Sequence, residues 1–235
     1  MNETKGTCLV TGVGPGTGAA IVRHFAEAGY SVAAMARDEA RLTDLAEEHA
    51  RIHAYPCDVS NAAALMTSCD RIDADLGAPN VVIHNAVGGG WGSFLDIEPE
   101  LLERNFQVNV MALLHLSRRT VPAMIEAGGG ALVATGNTSA YRGKSFFAGF
   151  APTKAAQRIL MESIARDAGP KGVHAAYVAI DAVIDLKWTR KRFADRPDDF
   201  FCQPTDIAEE VYRIAHQPKS AWTFDSVIRP FGETW

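Results

Sequence analysis

The sequence predicts an α/β fold, a doubly wound parallel sheet of about seven strands with helices on both faces. Three observations carry this expectation. Short apolar runs alternate with stretches of helical periodicity along the whole chain. A glycine-rich turn stands between the first apolar run and the first helical stretch. The 235 residues, 47% hydrophobic and 22% charged, suit one large domain over 1–235 and exclude a disordered chain.

The run Cys8-Leu9-Val10, ending in Thr11-Gly12, reads as a buried strand. Over 17–28, Ala20, Ile21, His24, Phe25 and Ala28 recur at helical spacing, and Gly29 stops the helix. A strand over 31–36 follows, then a helix over 38–50 with Leu42 and Leu45 on one face. Next come a strand over 51–55, a helix over 61–76, and a strand over 80–84 containing Val81-Val82-Ile83. A long helical stretch begins at 99 and ends near 126, bent or broken near Pro122. Beyond it lie a strand over 132–134, a helix over 152–168 with Pro152 in its first turn, and a strand over 173–180. A helix over 206–216 and a last strand over 222–228 complete the pattern. The one long irregular stretch is 181–203, and long loops on such folds carry function.

The net charge of −5 argues against a nucleic-acid partner, which needs a basic face. Cys8, Cys57, Cys69 and Cys202 are scattered, with no CxxC pair, so neither a disulfide framework nor a zinc site is expected. His49 and His53 are four apart, but a helix end and a strand start fall between them, so no metal is expected there. The N-terminus lacks an apolar signal core, and no uncharged apolar run approaches the ~20 residues of a membrane helix. A soluble cytoplasmic protein is expected.

The segment Thr11-Gly12-Val13-Gly14-Pro15-Gly16-Thr17-Gly18 is the strongest signal. Glycines there let the backbone turn tightly and approach a pyrophosphate resting on the helix N-terminus. It is not GxGxxG, because Thr17 holds the last glycine position, nor a P-loop, because no lysine follows. It does fit TGxxxGxG.

With this turn the chain resembles the short-chain dehydrogenase/reductase family over nearly its whole length. Cys57-Asp58-Val59 matches that family's acidic adenine contact, and His84-Asn85-Ala86-Val87 matches its NNAG segment with valine for the last glycine. Val108-Asn109-Val110 matches the asparagine of the long fourth helix, and Lys154-Ala155-Ala156 matches the end of YxxxKAA. The resemblance implies a Rossmann-type sheet and NAD(P) binding by Gly12, Gly14, Gly16, Thr17, Gly18, Asp58, Val59, Asn85, Ala86, Lys154 and Val183. It also implies a homodimer or homotetramer joined through the long helices that start near Pro99 and Phe150.

At the end of the second strand, Ala36 stands where NAD enzymes of the family carry an acid, and Arg37 follows. A guanidinium grips a 2′-phosphate that a carboxylate would repel, which favours NADP(H) over NAD(H). In the other reading, Arg37 is a solvated charge and Asp38 turns toward the ribose.

The catalytic positions depart from the family. The tyrosine four residues before the lysine is Phe150, which has no proton to exchange, and the serine thirteen residues earlier is Asn137, whose amide can still polarise a carbonyl. The Pro-Gly after the sixth strand is Ile180-Asp181. Tyr141, Ser139, Thr138, Lys154, Asp181 and Asp185 are the candidates to replace the lost groups, and loop packing or solvation is the alternative for each loop residue. His84 reads as a core or strand-end residue. Lys154 is expected to fix the ribose, and Asn109 to hold Lys154 through water.

Lys187, Arg190, Lys191, Arg192 and Arg196, interleaved with Trp188 and Phe193, form a basic lid for a carboxylate- or phosphate-bearing small molecule, or else a solvated amphipathic helix. The C-terminal aromatics Trp222, Phe224 and Phe231 are expected to close the sheet edge or pack on another subunit. Two functions remain open: an oxidoreductase with an altered proton relay, acting on a carbonyl or activated double bond, and an inactive NADP(H)-binding sensor or scaffold.

Overall fold

The computed structural model describes residues 4–233. In chain order its elements are β1 (Thr7–Thr11), α1 (Thr17–Glu27), β2 (Ser31–Ala36), α2 (Glu39–Glu48), β3 (Ile52–Pro56), α3 (Ala62–Leu76), β4 (Pro79–His84), α4 (Pro99–Phe106), α5 (Ala112–Glu126) and β5 (Gly130–Gly136). They continue with α6 (Ala151–Ala168), β6 (Val173–Ile180), β7 (Val183–Ile184), α7 (Lys187–Arg192), β8 (Phe201–Cys202), α8 (Pro204–Ala215) and β9 (Asp225–Ile228). Seven strands form one parallel sheet in the order β3-β2-β1-β4-β5-β6-β9.

Strand side chains alternate between two cores, one on each face of the sheet. Cys8, Val10, Val81, Ile83, Val133 and Val178 point to the face covered by α1, α2 and α8. Leu9, Val82, Leu132 and Tyr177 point to the other, where α3, α5 and α6 pack. Burial on both faces explains why the strands read as continuous apolar runs without polar alternation. Asn61 and Asp38 start α3 and α2 by accepting the backbone N–H groups of Ala64 and Arg41 at 3.1 Å.

Three expectations are corrected. The long helical stretch is interrupted by a π-helical turn at Gln107–Met111, while α5 runs unbroken through Pro122. The interruption has a local cause: it turns Asn109 inward, fully buried, onto the loop after β4. The stretch 181–203 is not irregular, for β7 pairs with β8 in a small parallel ladder and α7 lies between them. The last strand is shorter than expected: it begins after Trp222 and Phe224, spans Asp225–Ile228, and lies beside β6 at the sheet edge. No described helix is long and apolar enough to cross a membrane.

The glycine turn is shaped by contact between backbones. Gly12 has φ +76°, and a β-carbon there would lie 2.3 Å from Ala86 Cα. A β-carbon on Gly18 would lie 2.5 Å from the Gly12 carbonyl oxygen, whereas one on Gly14 would have no neighbour within 4 Å. Gly12→Ala is therefore expected to destabilise the protein by at least about 2 kcal/mol, and Gly14→Ala to shift stability by less than about 1 kcal/mol. Urea denaturation of the two variants checks this difference.

Candidate active site

β1 and β4 are neighbours, and the chain leaves them toward opposite edges of the sheet, so a crevice opens at their carboxyl ends. Gly12 to Gly18 form one wall. The first backbone N–H groups of α1 have no partner inside the helix, and their dipoles favour an anion. Beside them the Thr17 hydroxyl oxygen is buried without a hydrogen-bond partner among the described residues. Ala19 donates to the Gly14 carbonyl at 3.1 Å and Ala20 to the Gly16 carbonyl at 3.0 Å, so the amides of Thr17 and Gly18, the open space at Gly14 and the unmet hydroxyl are what fit a phosphate group. Leu186 reaches this turn from the stretch after β6, its Cδ2 lying 2.3 Å from where a β-carbon on Gly16 would stand.

Arg37 is exposed at the end of β2. Asp38 accepts the Arg41 N–H at 3.1 Å and pairs with its guanidinium at 2.8 Å. Asp58 accepts the Ser60 hydroxyl at 2.7 Å and its N–H at 3.0 Å. Partial burial raises the Asp58 carboxyl, but these bonds and the positive charge of Arg37 prevail and hold it below its ordinary value. Val59 is buried beside it. Asn85 acts as a tie: its amide donates to the Gly12 carbonyl at 2.8 Å and its oxygen accepts the Thr135 hydroxyl at 2.8 Å. Ala86 meets the turn through its backbone.

A second space opens between the ends of β5 and β6, a cavity of about 870 Å³. Asn137 and Phe150 lie on its wall, with Ser139, Thr138, Asp181 and Val183. The Asn137 oxygen accepts the Ser139 N–H at 3.1 Å, which leaves its NH₂ as the free end of the amide. Phe150 precedes α6 and packs with Phe147 and Trp91, with ring centroids 6.4 and 6.0 Å away.

Lys154 lies one turn into α6, 2% exposed. Its ammonium donates to Gln157 Oε1 at 2.8 Å and more weakly to the Thr135 carbonyl at 3.4 Å. Burial pushes its pKa down to about 7. The Asn109 amide exchanges two bonds with the Gly88 backbone, at 2.8 and 2.9 Å, and donates to the Thr153 hydroxyl at 2.8 Å. Gln157 was missed, although its spacing of three from Lys154 on a helix puts the two side chains on one face.

The remaining candidates separate. Tyr141 is directed to Asp225, with Arg158 5.2 Å from its ring, and burial and the carboxylate raise its pKa well beyond the ordinary range. Asp185 is held by Arg190 through two bonds of 2.7 Å, and Arg190 also binds Asp198, so these charges satisfy one another within the stretch after β6. Asp181 stays in the cavity, accepting the Thr138 hydroxyl at 2.5 Å. His49 ends α2 and accepts the Arg51 N–H at 3.1 Å, while His53 lies in β3.

The short chain dehydrogenase family model matches residues 6–195. The chain belongs to that family. A 7alpha-hydroxysteroid dehydrogenase of Escherichia coli (strain K12) is 26% identical over 240 residues, covering 97% of this chain and 93% of that protein. A short-chain dehydrogenase from Rhodopseudomonas palustris has a TM-score of 0.83 and 27% identity, covering 97% of this chain and all of its own. A metagenomic short-chain oxidoreductase in complex with NADP has a TM-score of 0.83 and 25% identity, covering 97% of this chain and 98% of that one. The family is one of oxidoreductases that use NAD(P).

Beneath the site, His84 is fully buried. Its Nε2 lies 3.1 Å from the Val108 carbonyl, which can only accept, so Nε2 carries the proton and Nδ1 accepts the Thr11 hydroxyl at 3.0 Å. Burial and the charge of Lys154 push its pKa down to about 3, against a smaller opposing pull from the Val108 carbonyl. The unfolded chain therefore binds a proton that the folded one refuses as pH falls from 6.5 toward 3. His84 is expected to remove about 2 kcal/mol of stability between pH 7 and pH 5. Denaturation across that range should show a shallower pH slope in His84→Gln, which keeps one donor and one acceptor.

Proposed function

We propose that the protein is an oxidoreductase that uses NADP(H) and acts on a carbonyl or an activated double bond without a tyrosine proton donor. Asp38 carries the cofactor choice. Its carboxylate is engaged at the start of α2, so the end of β2 presents the cation of Arg37 and no free acid. A guanidinium there binds a 2′-phosphate and gives nothing to a 2′-hydroxyl that a carboxylate would give. The NADP complex of the metagenomic relative supports the same reading.

Gly14, Gly16, Thr17 and Gly18 would hold the pyrophosphate at the N-terminus of α1, Arg37 the 2′-phosphate, Asp58 and Val59 the adenine, and Ala86 and Val183 the nicotinamide half. Asn85 serves by fixing the turn. When bound, the nicotinamide supplies or accepts the hydride. Asn137 directs its NH₂ into the cavity and polarises the acceptor oxygen. An enone suits this group better than a simple ketone, because an amide stabilises the enolate oxygen while the proton comes from elsewhere. Lys154, shielded beneath Phe150 and titrating near neutrality, is the nearest source of that proton, directly or through water.

In a calorimetric titration, NADPH is expected to bind at least about tenfold more tightly than NADH, and Arg37→Ala to abolish the difference. Equal binding, or tighter NADH, overturns the cofactor choice. The Lys154 ammonium prevails below its pKa of about 7, so the rate of enone reduction should fall as pH rises through that value. Phe150→Tyr restores a proton donor and should raise reduction of simple ketones by about a hundredfold. A pH-independent wild type with no gain in Phe150→Tyr contradicts the altered relay.

A further inference from the structure

The cavity beside Asn137 has a composition that defines its ligand. Its scaffold side carries Trp91, Phe146, Phe147 and Phe150, and its lid side carries Trp188 and Phe193. Trp91 and Phe147 meet edge to face with centroids 4.6 Å apart, which keeps that part of the wall rigid. Trp91, Phe146 and Trp188 are 58–60% exposed, so much of this aromatic surface is open to a ligand.

Cations are set among these rings. Lys144 lies 5.9 Å from the Phe147 ring and Arg192 lies 5.7 Å from the Phe193 ring, and both line the cavity. Neither forms an ion pair among the described residues, whereas Arg190 on the same helix as Arg192 is bound to two carboxylates. Arg142 also lines the cavity, 3.8 Å from Asp181. The opposing charge on the wall is Asp181, already bonded to Thr138, and Glu233. Both cations are exposed beside these rings at the cavity mouth, where a carboxylate can reach them.

We propose that the substrate is a planar, aromatic or polyunsaturated carbonyl compound that carries a carboxylate, its ring between the scaffold and lid aromatics and its carboxylate at Arg192 and Lys144. This assignment rests on the reading of the cavity as the substrate side of the oxidoreductase. It places the reacting carbonyl near Asn137 and Phe150 and the acid toward the lid, and it separates two roles within the basic stretch: Arg190 locks the lid and Arg192 reads the ligand.

The test is calorimetric titration of the full chain with 4-carboxybenzylideneacetone and with its methyl ester, with and without NADPH. The pair shares ring and enone and differs in one charge. The acid is expected to bind at least about tenfold more tightly than the ester. Raising the salt concentration should erode that preference, and the double variant Lys144→Gln/Arg192→Gln should abolish it. Both substitutions lie at exposed positions, and the thermal midpoint of the double variant checks that it folds. Equal affinities for acid and ester, or no binding of either, overturn the proposal. NADPH binding is read in its own titration: if it fails while the acid still outcompetes the ester, the cofactor reading falls and the ligand class stands.

Discussion

Contact between the backbones of Gly12 and Ala86 is the constraint on which the site depends. The two chains approach so closely that no side chain fits between them. Asn85 then ties the Gly12 carbonyl to Thr135 on β5, so one side chain couples the ends of three adjacent strands. With this junction fixed, the start of α1 points into the crevice. The loop after β4 is carried over to Asn109, whose amide closes it through Gly88. Glycine turn, loop and π-helical turn thus meet at one tight passage between β1 and β4.

On the reactive side, polar and apolar groups are layered. Asn109, Thr153 and His84 form a buried polar layer in which every bond has a defined direction. Phe150 offers a hydrocarbon face beside it, and Lys154 turns to Gln157. A buried amine bonded to a neutral amide has no counter-charge, which is why its proton is loosely held. Chemistry that needs a strong local acid is disfavoured in such a site. Chemistry in which the developing charge can wait on an amide is tolerated.

Much of this was legible in the residues. The β-strands read as buried because both faces are covered, and the glycine turn announced its position by standing between a strand and a helix. Asp38 showed its role less plainly, since a capping acid and a ribose-binding acid occupy the same stretch of sequence, and only the bond to Arg41 separates them. Pro122 was misleading: a proline in α5 is an obvious breaker, but the interruption lies upstream, where Asn109 needs an extra residue of turn to face Gly88. Tyr141 illustrates the limit of local reading. Its partner, Asp225, is 84 positions away and is brought close by β9 joining β6. The order within 181–203 was hidden for a related reason, because its charges satisfy one another through Arg190 and leave no periodic apolar face to notice.

Leu186 brings the stretch after β6 close to the glycine turn beside Gly16, and Thr189 fixes this start of α7 by accepting the Leu186 N–H at 2.9 Å. Gly16 is therefore a spacer as much as a bend. A methyl group added there would collide with a leucyl side chain and not with backbone, so the disturbance would be felt first at the start of α7, in a part of the chain remote in sequence from the turn itself.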